Sequence, residues 1–523
     1  MISLLCSSPS KEAGKLVLAA VQRSVSASQT QWIGPDSIER NTPKLVIAVN
    51  VSDTDGERLL SWLSKGTHKL VLFGRLPQCF IKKTGSSMTQ WHEHLEEWSR
   101  SMSAPIHGHA ESQALIKYTP LAFNLGGRDF HRALERFDYA NEWNNLGFGA
   151  IRANGSIWAL SVPIQTPPTN CLANLTLQGK IHCSYAALFD WDQASILWFN
   201  RPVGPIDSFE WRLVENFFSS YRFDDLPCQP VLKEIPWGYD AAITMRLDCD
   251  EDIESARPLW ETYRDHEIPL SLAIHTTNVV KGLDTSLLED VIASGGSILS
   301  HSATHAPNWG GNYEKAFYEA ETSRAILRSL TGREIKYAVS PFHQTPFYSL
   351  AALSDMGYKG CVGGIISSDP SFLFSRGGII ADLPEDFVGH SQQCMLHGDC
   401  LLKDEDPLST FKQSFDFSFE SATLFGYLDH PFSVRYQYGW PSEELRIKKH
   451  QDLLRYIHSR ANMPLFMSED EALDFLSRKS SIRILDSSEG FQTIVPISDS
   501  SSYDVAIDFK GRCFRAVHKG FFS

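Results

Sequence analysis

Motif-forming cysteine is missing from this chain. Its ten cysteines are scattered over 523 residues, and no two stand as C-x-x-C. That spacing argues against a disulfide framework or a zinc finger and predicts reduced thiols in structural roles. Long apolar runs are missing too. No stretch approaches the roughly 18 residues that a membrane-spanning helix needs, so no span is expected. Between Met1 and Val21 there is no basic start followed by a continuous apolar stretch, because Lys11, Glu12 and Lys15 interrupt it. No signal peptide is expected, and the expected location is cytoplasmic. Positive charge is in short supply, with 48 Lys and Arg against 62 Asp and Glu and a net charge of −14. Phosphate binding needs a basic face, so nucleic acid is not an expected partner. No internal repeat is found. Oligomeric state is not legible.

What is present is a chain able to build several cores. Hydrophobic residues make up 42% and charged residues 21%, which excludes a disordered class. The length suggests about two to four domains. A buried strand over 44–51, a helix over 53–64 and a strand over 69–73 give the strand–helix–strand spacing of a parallel α/β layer. Further strands are predicted at 149–152, 156–162 and 195–199, and a helix at 209–221. Pro227, Pro230 and Pro236 mark a linker over 222–238.

From residue 241 the alternation becomes regular. Strands are predicted at 242–247, 270–274, 297–300 and 358–362. Helices are predicted at 254–265, 286–293, 312–330 and 348–356. Gly295-Gly296, Gly332 and Gly357 supply stops. Repeated units of this length suggest a (β/α) barrel, whose chemistry lies at the C-terminal ends of its strands. A further helix at 443–458 has Ser442 placed to cap it. The expected class is therefore multidomain α/β: an N-terminal α/β module over 1–230, a barrel over 235–461, and a small β-rich appendage over 462–523.

Two short strings carry chemistry. Asp248-Cys249-Asp250 closes one predicted strand, and His301-Ser302-Ala303-Thr304-His305 follows another. Alternate residues of an extended strand face one way, so both aspartates can address one water while Cys249 points away. Asp250, His301 and His305 would hold a divalent metal ion and leave a position open, and Asp248 would be the base beside it. An Asp-x-Asp alone is commonly a turn or helix cap, and two histidines four apart are commonly unrelated. Their joint placement after predicted strands is the stronger signal.

The stretch over roughly 235–461 resembles the NodB-type polysaccharide deacetylases, carbohydrate esterase family four. Besides the two strings, the resemblance includes 287–298, His301 through Pro307, Leu330-Thr331-Gly332-Arg333, Ser340-Pro341-Phe342 and Met356-Gly357-Tyr358. It implies a (β/α)₇-type barrel and a metal-dependent hydrolase that removes acetyl groups from sugars, with an acetylated carbohydrate as substrate. The implied ion is zinc, with cobalt or nickel as alternatives. Asp248 maps onto the family's base, and Asp250, His301 and His305 onto its ligands. The implied histidine acid is best matched by His430 in Leu428-Asp429-His430-Pro431, with His397 next. A carboxylate to hold that imidazole could be Asp369, Asp382 or Asp386. His275, at a strand end, is expected to be structural.

The family's third motif offers an arginine that orients the base. Val339-Ser340-Pro341-Phe342-His343 lacks it, and Arg246, Arg435 or His343 could take its place. Two other readings therefore stay open: a hydrolase of a non-sugar C–N bond, and a carbohydrate-binding protein without turnover. The N-terminal half loosely resembles class I glutamine-amidotransferase-like domains. It has no Gly-x-Cys-x-Gly elbow around Cys79, so no catalysis is expected there. Trp191, Trp198 and Trp211 surround Asn200-Arg201-Pro202, and core positions are the expected reading for them.

Overall fold

The computed structural model describes residues 1–41, 43–99, 114–133, 153–205, 208–279, 285–363, 376–391, 394–398, 406–488, 490–496 and 501–523. The strand expected at 149–152, Asp369 and Cys400 lie outside them.

A mixed sheet gathers the N-terminal half. Thr30–Ile33, Ile2–Cys6, Leu45–Val49, His68–Phe73 and Ala194–Phe199 run parallel in that order. Lys180–Trp191, Cys171–Leu177, Ala114–Tyr118 and His131–Ala133 continue it antiparallel. Unbroken apolar runs such as Leu45–Val49 are buried along their length, as expected of strands covered on both faces. The strand expected at 156–162 is instead turns and bends with a single bridge at Ala159. Its backbone is tied down by Asn200, whose Oδ1 accepts from Val162 N at 3.0 Å and whose Nδ2 donates to Val162 O at 2.7 Å. Trp198 and Trp211 are fully buried. Cys79 lies in the Gln78–Thr84 helix, where burial raises its thiol pKa, the opposite of an activated nucleophile.

The second sheet is large and almost wholly parallel. Its order is Gly378–Ile379, Val388–Ser391, Gly360–Gly363, Tyr337–Val339, Ile298–Ser300, Ser271–Ile274, Ala241–Cys249, Phe425–Asp429 and Cys394–Met395. Only the first pair is antiparallel. Alternation divides the side chains. Leu272 and Ile274 pack outward with Leu259, Leu287 and Leu353 of the surrounding helices. Ala273, Leu299, Val339, Val362, Val388 and Leu424 share one inner cluster. His390 Nε2 lies 3.3 Å from Leu424 O, so elements near opposite ends of the strand order meet and the sheet curls on itself.

The C-terminal region departs from the expected appendage. Pro464–Met467 pairs parallel with Ala241–Cys249, from Ala241↔Pro464 to Thr244↔Met467. The Glu469–Ser481 helix sends Leu473 and Leu476 into the inner cluster. Ser468 begins that helix with a capping box, its hydroxyl accepting from Glu471 N while Glu471 reaches back to Ser468 N. Only then does the chain become β-rich, and the alternating apolar–polar residues over 503–509 form the strand Ala506–Phe509. That strand pairs with Val231–Leu232, inside the expected linker.

Buried polar contacts join the two halves. Arg376 grips Glu215 at 2.8 and 3.0 Å. Arg23 donates to Ile379 O at 2.7 Å, and Lys479 to Arg23 O at 2.7 Å. Nine cysteines among the described residues are free. Among those residues no helix is long and apolar enough to cross a membrane.

Candidate metal centre

Parallel strands bring all their C-terminal ends to one edge, and the candidate residues stand along it. Asp248 is the penultimate residue of Ala241–Cys249, and Asp250 is just past its end. His301 follows Ile298–Ser300, His343 follows Tyr337–Val339, His397 follows Cys394–Met395, and His430 follows Phe425–Asp429. A cavity of about 230 Å³ is lined by Asp248, Asp250, His301, His305, Phe342, His343, Met395, His397, His430, Tyr436 and Tyr438. Cys249 points the other way into the helix-facing core, as alternation requires.

Asp250, His301 and His305 each offer a ligand atom, and these atoms lie within 4.8 Å of one another. The two imidazole Nε2 atoms are 3.1 Å apart, and each is 3.4 Å from Asp250 Oδ1. Asp250 Oδ1 is buried without a hydrogen-bond partner. His301 Nδ1 sits 3.0 Å from Val339 O, which makes Nδ1 the donor and leaves the Nε2 lone pair facing Asp250 and His305. An orphaned carboxylate oxygen and two converging imidazole nitrogens fit a divalent cation. Burial beside His301 lowers the His305 pKa to about 4, so that ring is neutral, as a ligand must be.

The histidine pair is held by a residue the motif reading missed. His305 and Ser302 both have positive φ, 55° and 66°. The tight loop between the histidines is clamped by Glu319 of the Tyr313–Thr331 helix. Its carboxylate accepts from Ala303 N at 2.8 Å, Thr304 N at 2.7 Å and Thr304 Oγ1 at 2.7 Å. A glutamate in a helix pattern reads as solvent-facing, so no local signal marked it. His275 is structural: its Nε2 lies 2.7 Å from Asp250 O and fixes the backbone there.

Of Arg246, Arg435 and His343, Arg246 is the one that grips Asp248. It stands two residues before Asp248 on the same strand, hence on the same face. Its Nε donates to Asp248 Oδ1 at 2.7 Å and its Nη2 to Oδ2 at 3.3 Å. Burial opposes the Asp248 charge, but the guanidinium outweighs it and holds the carboxyl at about 2. Arg435 is exposed and reaches only Glu251 O, at 3.4 Å. His343 lines the cavity, and burial lowers its pKa to about 3.

His430 places Nε2 3.3 Å from Asp250 Oδ2, and its ring stacks on Tyr438 at 4.0 Å. His397 stands farther back, edge-on to Tyr438 at 6.2 Å. The two expected carboxylates among the described residues, Asp382 and Asp386, do not hold His430. Asp382 pairs with Lys15 and Asp386 with Lys359, both on the surface. Instead the buried Asp429 accepts from His430 N at 2.7 Å, and is itself held by Arg446 Nε at 2.7 Å and by His450 Nε2 at 2.9 Å. The side chain next to the imidazole thus anchors its backbone.

No protein-family model matches the chain, and no curated protein matches it. Several solved structures similar to it are family 4 carbohydrate esterases or polysaccharide deacetylases. One is a family 4 acetyl xylan esterase from Clostridium thermocellum, solved with a cobalt ion. It is 10% identical, with 45% of this chain and 91% of that one covered, at a TM-score of 0.31. Another is the chitin deacetylase of Colletotrichum lindemuthianum, 12% identical over 44% of this chain and 86% of that one, at 0.30. Puue allantoinase is also similar, 13% identical over 47% and 92%, at 0.35. These values are too low to carry an activity across, and the functional reading rests on the site itself.

Proposed function

We propose that this chain is a metal-dependent hydrolase that removes acetyl groups from an N-acetylated sugar of a polysaccharide or its precursor. The observation that carries the reading is the joint placement of two sets of groups. Asp250, His301 and His305 converge on one point, and an arginine-held carboxylate, Asp248, lines the same cavity. When bound, a divalent ion, zinc or alternatively cobalt or nickel, supplies Lewis acidity toward the acetyl carbonyl and its attacking water. Asp250, His301 and His305 would hold it.

The chain's own residues supply proton handling and enclosure. Asp248, kept ionised by Arg246, accepts a proton from the attacking water. His430 gives a proton to the departing amine as the C–N bond breaks, leaving acetate and a free amino sugar. Phe342 packs on His305 at 4.5 Å, and Tyr438 covers His430, so aromatic faces wall the cavity. Its volume lies below the roughly 300–1,000 Å³ of drug-sized pockets, which suits a small acyl group rather than a bulky one.

The test is metal content followed by acetate release from acetylated amino sugars, for wild type and Asp248→Asn. The expected result is about one ion in both proteins, with release roughly 10²- to 10⁴-fold slower in the variant. Absence of bound ion in the wild type, or equal release by both proteins, would sink the proposal.

A further inference from the structure

Glu469 lies outside the stretch that resembles the deacetylase family, at the start of the Glu469–Ser481 helix. Its backbone N–H donates to Ser271 Oγ at 3.0 Å, which pins the helix start to the strand beside Asp248's own. Its side chain is fully buried, as is that of Arg246, and Oε1 lies 3.6 Å from Arg246 Nη1. Arg246 turns its Nε and Nη2 edge to Asp248. The guanidinium therefore stands between two carboxylates, one facing the cavity and one behind it. Burying a second carboxylate costs several kcal/mol in desolvation, and an apolar side chain of similar volume would fill the space at less cost. What a carboxylate adds is direction: without a hydrogen bond to the fork, its charge at 3.6 Å draws the Nη1 side away from the cavity and leaves the Nε–Nη2 edge toward Asp248.

We propose that Glu469 is a positioning residue: it locks the Arg246 guanidinium, which in turn aims the Asp248 carboxylate into the cavity. The inference rests on Asp248 serving as the base. Support that the family draws from its third motif would here come from the same strand and from a helix more than two hundred residues later in the chain.

The test compares wild type, Glu469→Gln and Glu469→Asp for metal content, KM, kcat and crystal structure. In Glu469→Gln we expect kcat to fall roughly 10- to 100-fold, the usual cost of removing a group that orients a reacting one. Metal content and KM stay unchanged, and Asp248 turns off Arg246 Nε in the crystal. Glu469→Asp, which keeps the charge with a shorter reach, falls between the two. Wild-type kcat in Glu469→Gln with the Arg246–Asp248 contact intact overturns the inference, as does joint loss of metal and KM. If the wild type releases no acetate, the functional reading fails, and the crystal structures still decide whether Glu469 sets the Asp248 orientation. Should Glu469→Gln not fold, the same readings are made on Glu469→Asp, where wild-type kcat and an unmoved Asp248 overturn the inference.

Discussion

Single residues decide how sharply the site is drawn. Glu319 satisfies two backbone N–H groups and one hydroxyl in the loop that joins the two histidines. Glu319→Ala leaves the buried Ala303 N–H unpaired and frees the two Thr304 donors. It should cost about 1–3 kcal/mol of stability in denaturant titrations and weaken metal binding roughly 10- to 100-fold by equilibrium dialysis. Unchanged metal affinity would show that the loop holds its shape without the clamp. Residue-scale reading of the sequence did well where chemistry is local. Asp248 and Asp250 are two apart on one strand, and His301 and His305 four apart in one loop, so their meeting depends on short-range geometry. It did poorly for Glu319, Glu469 and Asp429. Each acts on a backbone or a guanidinium whose position depends on how strands and helices assemble.

Elements were legible where periodicity and caps agree. The Ser286–Ala293 helix falls where the pattern places it, and the predicted Ser442 cap is present, with Leu445 N donating to its hydroxyl at 3.2 Å. Gly296 earns its place through space: a Cβ there would meet Leu270 O at 2.1 Å. The Pro464–Met467 strand was missed because four residues give too little period to read, and its pairing is with a strand more than two hundred residues earlier. The helix that follows matters beyond its own stability, because it carries Glu469. Ser468→Ala removes half of its capping box and should destabilise the protein by about 0.5–2 kcal/mol. Differential scanning calorimetry reads this directly, and an unshifted melting temperature would mean that tertiary packing alone sets the helix start.

At the scale of the molecule, the Glu215–Arg376 pair is a buried tie between the two halves. Burial pushes the Glu215 carboxyl up, but Arg376 outweighs it and holds it at about 2. A folded pKa below the ordinary value of about 4.3 means a stability contribution that is full above pH 4.3 and fades as pH falls toward 2. Glu215→Gln should lose about 3–5 kcal/mol at neutral pH, because the buried Arg376 loses this countercharge and its bonds to the Thr423 hydroxyl and Ser421 carbonyl do not replace it. Its stability should then fall less steeply than the wild type's between pH 4.5 and 2. Parallel acid limbs in denaturant titrations would show that the pair is not the source.

The sequence by itself determined the alternation of strand and helix and the two short strings, Asp248 with Asp250 and His301 with His305, whose members are neighbours because of their spacing. It also determined that the usual orienting arginine is absent from its motif. Only the tertiary structure decided which of the three candidates meets Asp248. Arg246, Arg435 and His343 are indistinguishable as letters, and the choice falls to Arg246 because it shares a strand face with Asp248. Tertiary structure also removed Asp382 and Asp386 from the site and brought Asp429, Glu319 and Glu469 to it. The physical reason is common to all of them. A buried charge needs a partner at close range, and which partner comes within range is set by sheet order and curl, not by distance along the chain.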